Sequence, residues 1–174
     1  SEGEKGLSQN VAFIKNWRGK VGPDFPLMLD CYMALDVEYT AKLAQRLEPY
    51  RLQWIEEPLQ DYDITGLQKL CDSLDLPVMT LEWIGHIGGQ PYQTAPYIAL
   101  GAVDIVRQRG VGITGSVKQA QLAESFGISP THPYHRVVVF GRHNALTTPV
   151  SQVEVVIGVG IHVGSTVIST LVDE

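Results

Sequence analysis

Three short apolar runs each end in an acid, and the acids stand at equal intervals: Pro26-Leu-Met-Leu-Asp30, Leu52-Gln-Trp-Ile-Glu56 and Leu76-Pro-Val-Met-Thr-Leu-Glu82. Glu56 follows Asp30 by 26 residues, and Glu82 follows Glu56 by the same 26. Continuous apolar runs of this length suit strands buried on both faces of a parallel sheet. The intervening segments carry helical spacing. Asp36 can cap a helix whose inner stripe is Val37, Ala41, Leu43, Ala44 and Leu47, closed by Pro49, and Asp63 can cap another through Leu67, Leu70 and Leu74. Strands alternating with helices in this way predict parallel βα units wound right-handed, with every strand ending on the same rim.

The alternation extends in both directions. Leu7, Val11, Phe13, Ile14 and Trp17 recur at helical spacing between Gly6 and Val21, and Gly22-Pro23 stops the pattern. Residues 91–100 read as a weak helix, 102–106 as strand, 116–126 as helix and 128–132 as strand. Beyond His132, Val137-Val-Val-Phe140 and Val153-Glu-Val-Val-Ile-Gly-Val159 are strand-like with no strong helix between them. The expected fold class is α/β: a partial (β/α) TIM-type barrel in a single domain, 1–174, regular to about residue 135 with a divergent tail over 136–174. At roughly 31 residues per unit, a length of 174 holds about five or six of the eight units of a barrel. Open sheet edges call for cover, so a homo-oligomer is expected.

Composition narrows the partners. The net charge is −6 and the thirteen basic residues are scattered, which argues against nucleic acid or an anionic membrane surface. No run of about 18 apolar residues and no charged-then-apolar leader is visible, so the reading is a cytoplasmic protein. Cys31 and Cys71 match no zinc or redox spacing and are expected to be reduced.

Three carboxylates converging on one rim repel unless a cation sits among them, and hard oxygen donors suit Mg²⁺. An acid after a strand can also cap a helix or sit in a loop, but three at equal spacing favour the shared site. Barrel active sites are built on that rim.

Two segments carry a family resemblance. Pro26-Leu-Met-Leu-Asp-Cys-Tyr-Met33 and Trp54-Ile-Glu-Glu-Pro-Leu59 resemble the third and fourth barrel strands of the mandelate racemase subgroup of the enolase superfamily, C-terminal barrel domain. The first leans toward the L-rhamnonate dehydratase-like sugar-acid dehydratases, as do Glu2-Gly-Glu-Lys-Gly-Leu7 and Val21-Gly-Pro-Asp-Phe-Pro26. Similarity runs from about residue 2 to 135. The resemblance implies Mg²⁺ held by Asp30, by Glu56 and by Glu82, the last in place of the glutamate of a Gly-Glu pair, with Leu81 replacing the glycine. Glu57 becomes a supporting acid. Gly127-Ile-Ser-Pro-Thr-His132 resembles the strand-seven segment, which makes His132 the implied base, with His135 as its substitute. An imidazole titrates near operating pH and suits that task. The implied reaction is Mg²⁺-assisted dehydration of a small acid sugar, in which the proton next to a carboxylate is abstracted through an enediolate.

Departures from the family keep other readings open. In Asp104-Ile-Val-Arg-Gln-Arg109, Arg109 falls where the family has an aspartate supporting the histidine. There it would lower the imidazole pKa or clamp a substrate carboxylate. Gly110-Val-Gly-Ile-Thr-Gly115 resembles a shortened version of the family's glycine-rich turn and lacks both nucleotide-loop patterns. A racemase or cycloisomerase on the same site is the near alternative, but the family's capping domain and strand-two Lys-x-Lys would precede Ser1, and without those lysines two-base racemisation has less support. A non-catalytic half barrel that oligomerises is the alternative from another class. Tyr32 and the loop Trp83-Ile-Gly-His-Ile-Gly-Gly-Gln-Pro-Tyr92 are candidate substrate contacts or plain rim packing, and His86 reads as an ordinary loop histidine.

Overall fold

The computed structural model describes residues 3–84, 91–108, 112–127 and 138–139. The first helix, α1 (Gly3–Val21), leads into β1 (Leu29–Asp30), followed by α2 (Val37–Leu47) and β2 (Ile55–Glu56). Then come α3 (Ile64–Ser73), β3 (Val78–Thr80), α4 (Pro91–Ala99), β4 (Ile105–Gln108), α5 (Gly112–Ser125) and β5 (Val138–Val139). The five strands pair in parallel in chain order. Fold class is therefore as expected: successive βα units of a barrel, present in part.

Helix boundaries follow from local chemistry. Asp36 accepts from the Tyr39 amide at 2.8 Å and starts α2, and Asp63 accepts from the Gly66 amide at 2.9 Å and starts α3. Both satisfy amides that the first helical turn leaves without an intrahelical partner. Pro49 ends the helical run of α2 in a tight 3₁₀ turn, Glu48–Tyr50. At the other end of the first unit, Arg18 donates to the carbonyls of Tyr50, Gly22 and Phe25, tying the end of α1 to the entry of β1.

Alternation along the strands sorts side chains into two layers. Leu27, Leu29, Ile55 and Val78 pack outward against Leu7, Ile14, Leu43, Leu47, Leu67 and Leu70 of the helices. Met28, Trp54, Met79 and Ile105 form a separate inner layer. Two residues beyond Met28, Trp54 and Ile105 come Asp30, Glu56 and Arg107, so the inward face changes from apolar to charged toward the strand ends.

The fourth strand begins later than the 102–106 expected for it. Ala102 donates to the Tyr97 carbonyl and so still belongs to the end of α4. Pairing begins where Asp104 both donates to the Val78 carbonyl and accepts from the Val78 amide at 2.9 Å. The strand expected at 128–132 and the strand-like run at 153–159 lie outside the described residues.

Gly66 tests the cap of α3. A Cβ there would stand 2.3 Å from Asp63 Oδ2 and 2.9 Å from Leu59 Cδ1. Replacing a mid-helix glycine by alanine usually stabilises by about 0.5–1 kcal/mol. Gly66→Ala is instead expected to destabilise, because the new methyl expels the capping carboxylate, whose loss costs about 1 kcal/mol. Urea unfolding of Gly66→Ala and Asp63→Ala checks this; a Gly66→Ala chain more stable than the parent contradicts it.

Candidate functional site

Asp30 and Glu56 are direct neighbours in the sheet, because their strands pair with the 26-residue step that separates them in sequence. The next step is shorter. Glu56 pairs with Met79, a step of 23 residues, so Glu82 stands three positions past its neighbours' level. It lies in the turn after β3, not within the strand as its equal spacing suggested. The turn is made by Leu81, whose φ of +83° is left-handed, and it is held by the Glu82 amide donating to Glu57 Oε1 at 2.8 Å. A glycine would adopt that φ without cost. Leu81 is kept because its side chain is buried with Ile98, Val103, Val106 and Ala123, linking the rim to α4 and α5.

The rim is crowded with left-handed backbone: Tyr32, Met33 and Glu57 also have φ of +48°, +59° and +44°. Such conformations persist where surrounding contacts hold them. The Tyr32 amide donates to Asp30 Oδ1 at 2.9 Å, fixing that carboxylate, and Met33 donates to the Glu57 carbonyl at 2.6 Å. The Tyr32 ring is exposed and meets Trp83 edge-on, with centroids 6.0 Å apart. It therefore stands two residues past Asp30, against Trp83.

Glu56 is fully buried, and Trp54 Nε1 donates to its Oε2 at 3.3 Å. Arg107, unnoticed in the sequence beside Arg109, projects from β4 into the same space. Its Nη1 contacts Glu56 Oε1, and its Nε lies 3.0 Å from Glu82 Oε2. The signal was the strand alternation: Arg107 is two residues past Ile105 and so faces inward. Burial pushes the Glu56 carboxyl up to about 7 even though Arg107 pulls it down, and the charges of Asp30 and Glu82 add to the rise. Burial also raises Asp30, with the Tyr32 amide and Arg107 opposing. Among the described residues, Arg107 is the cation that reaches Glu56 and Glu82.

A second acidic pair braces the first set. Thr80 Oγ1 lies 3.1 Å from both Glu57 Oε2 and Asp61 Oδ1, and the Ile84 amide donates to Asp61 Oδ2 at 3.1 Å. One hydroxyl proton cannot serve two carboxylates, so a further proton resides in this pair. Burial, then the hydrogen bond and charge of Asp61, push Glu57 up to about 10. Glu57 accepts from the Glu82 amide and so positions Glu82. Asp61 and Thr80 carry no pattern in sequence that announces this part.

As the side chains stand, no three His, Cys, Asp or Glu residues among those described are grouped to hold a metal ion, with Arg107 bridging two of the expected ligands. The donor set itself, buried Glu56 and Glu82 with half-buried Asp30, offers the hard carboxylate oxygens that suit a Mg²⁺ site. His132, His135, His86 and Arg109 lie outside the described residues. No helix among the described residues is long and apolar enough to cross a membrane.

The sequence profile described as enolase C-terminal domain-like matches residues 2–151. The L-rhamnonate dehydratase of Saccharopolyspora erythraea is 36% identical over 155 residues, covering 83% of this chain and 38% of that protein. Among solved structures, the L-rhamnonate dehydratase of Gibberella zeae aligns with a TM-score of 0.62 at 31% identity, over 72% of this chain and 32% of that one. L-Talarate dehydratase from Polaromonas sp. JS666, complexed with Mg and L-glucarate, aligns with a TM-score of 0.63 at 31% identity, over 70% and 34%. The chain spans less than two fifths of the length of these relatives.

The Glu57 pair predicts a pH dependence of stability. A carboxyl that ionises near 4.5 unfolded and near 10 folded supports the fold fully below the lower value and loses that support as pH climbs toward the upper. Urea unfolding with chelator present should show the parent chain losing stability between about pH 5 and pH 8, by at least ~1 kcal/mol more than Glu57→Gln. Parallel profiles for the two chains contradict a neutral Glu57.

Proposed function

The chain belongs to the enolase C-terminal domain-like family, and on that premise we propose that it forms the metal-binding part of an acid-sugar dehydratase, a carbon–oxygen lyase of the L-rhamnonate dehydratase type. The observation that carries this reading is the meeting of buried Glu56 and Glu82 at one cation, Arg107, with Asp30 in register beside them. Asp30, Glu56 and Glu82 would hold Mg²⁺, as the Mg complex of the Polaromonas relative suggests. When bound, the ion supplies positive charge that stabilises the negative charge left on a substrate carboxylate after its neighbouring proton departs.

The chain's own residues take the remaining tasks. Glu57, kept neutral by burial and by Asp61, holds the Glu82 backbone and so sets the height of the third acid. The Tyr32 amide fixes Asp30, and the Tyr32 ring beside Trp83 offers a wall to a small sugar acid. His132 is proposed as the group that takes the proton, and Arg109 as a contact to the substrate carboxylate. A homo-oligomer is proposed, with light scattering as the check.

A second reading, a non-catalytic half barrel, is favoured by the ion pairs of Arg107, because an internal cation can neutralise the acids with no metal at all. Calorimetric titration with Mg²⁺ separates the two. The dehydratase reading expects binding by the parent chain that weakens at least ~tenfold in Glu56→Gln, since each removed carboxylate takes away a charged ligand. It further expects a 2-keto-3-deoxy product from at least one sugar acid in a panel. A parent chain that ignores Mg²⁺, or binding untouched by Glu56→Gln, contradicts it.

A further inference from the structure

Arg107 is not among the residues that the proposed reaction uses, yet it occupies the centre of the site. Its side chain is 18% exposed and that of Glu56 is 0% exposed, so the pair is shielded from water. Through Nη1 and Nε it touches carboxylates from two different strand ends. Arginine is suited to this because its planar fork is permanently charged and can face two acceptors at once. The fork also comes from an adjacent strand: β4 pairs with β3 at Met79–Ile105 and Thr80–Val106, which places Arg107 one position beyond that pairing, toward Glu82.

We propose that Arg107 is a tethered counter-cation: it occupies the space between Glu56 and Glu82, and a divalent ion enters only by displacing its guanidinium. This rests on the reading of Asp30, Glu56 and Glu82 as a metal site. A divalent ion would compete with the guanidinium for the same carboxylate oxygens, so metal affinity is reduced by whatever is needed to break two shielded ion pairs. The device keeps Glu56 and Glu82 paired with a cation, and the rim folded, in a chain without metal. When metal arrives, the displaced guanidinium is left at the mouth, where an anionic substrate would enter.

The test is calorimetric titration of the purified chain with MgCl₂ and MnCl₂, in the parent, Arg107→Gln and Arg107→Lys. The proposal expects Arg107→Gln to bind either ion at least ~tenfold more tightly than the parent, with Arg107→Lys between them because a point charge cannot span both acids. It also expects Arg107→Gln to melt at a lower temperature than the parent when chelator is present and to recover when Mn²⁺ is added. If Arg107→Gln is too unstable to titrate, Arg107→Gln combined with Glu56→Gln should regain melting temperature, since the uncompensated buried acid is gone. Equal or weaker metal binding in Arg107→Gln, with the parent binding well, overturns the counter-cation and leaves the metal-site reading standing. Absence of binding in every variant, including a stable Arg107→Gln, overturns both.

Discussion

Buried carboxylates need positive charge, and the need is sharpest at the C-terminal ends of these strands. Glu56 has no exposure to solvent, Glu82 is nearly as buried, and Asp30 stands beside them in register. Water screens Glu56 and Glu82 poorly, and the structure supplies other partners: the Arg107 guanidinium, the Trp54 indole, and the amides of Tyr32 for Asp30 and of Glu82 for Glu57. A buried charge without such partners would either neutralise by taking up a proton or destabilise the fold. Much of the rim's odd geometry follows from this demand. Left-handed Tyr32, Glu57 and Leu81 turn the backbone so that its amides and side chains reach the acids.

Two acidic layers then have different tasks. In the upper layer, Asp30, Glu56 and Glu82, two of the acids are paired with the Arg107 guanidinium. The Glu57–Asp61 pair carries a proton and serves as scaffolding, with Thr80 between the two carboxylates and the Ile84 and Glu82 amides locked onto them. The two adjacent glutamates of Trp54-Ile-Glu-Glu-Pro58 therefore differ because consecutive residues at a strand end point in different directions. One enters the mouth, and the other turns under β3.

Much of the scaffold was legible in the residues. Caps at Asp36 and Asp63, the stop at Pro49 and the buried runs before Asp30 and Glu56 are local signals, and local chemistry decides them. What sequence spacing could not convey is the register between strands. Equal 26-residue intervals suggested equal heights, but the second strand step is 23 residues, and the remainder is taken up by the turn at Leu81. Arg107 was missed for a related reason. The family comparison drew the eye to Arg109, whereas strand alternation from Ile105 marks Arg107 as the inward residue. Asp61 and Thr80 act only through tertiary contacts 19 residues apart in sequence, and no short motif encodes such a pair.

The account turns on whether these acids share one cation and whether Arg107 holds that place until an ion takes it. Diffraction from crystals of the chain grown with Mn²⁺, using the anomalous signal of manganese, addresses this most directly. The prediction is a single strong peak among Asp30, Glu56 and Glu82, with the Arg107 side chain moved off both glutamates. Manganese bound elsewhere, or absent, while Arg107 still bridges Glu56 and Glu82 in fully occupied density would contradict it.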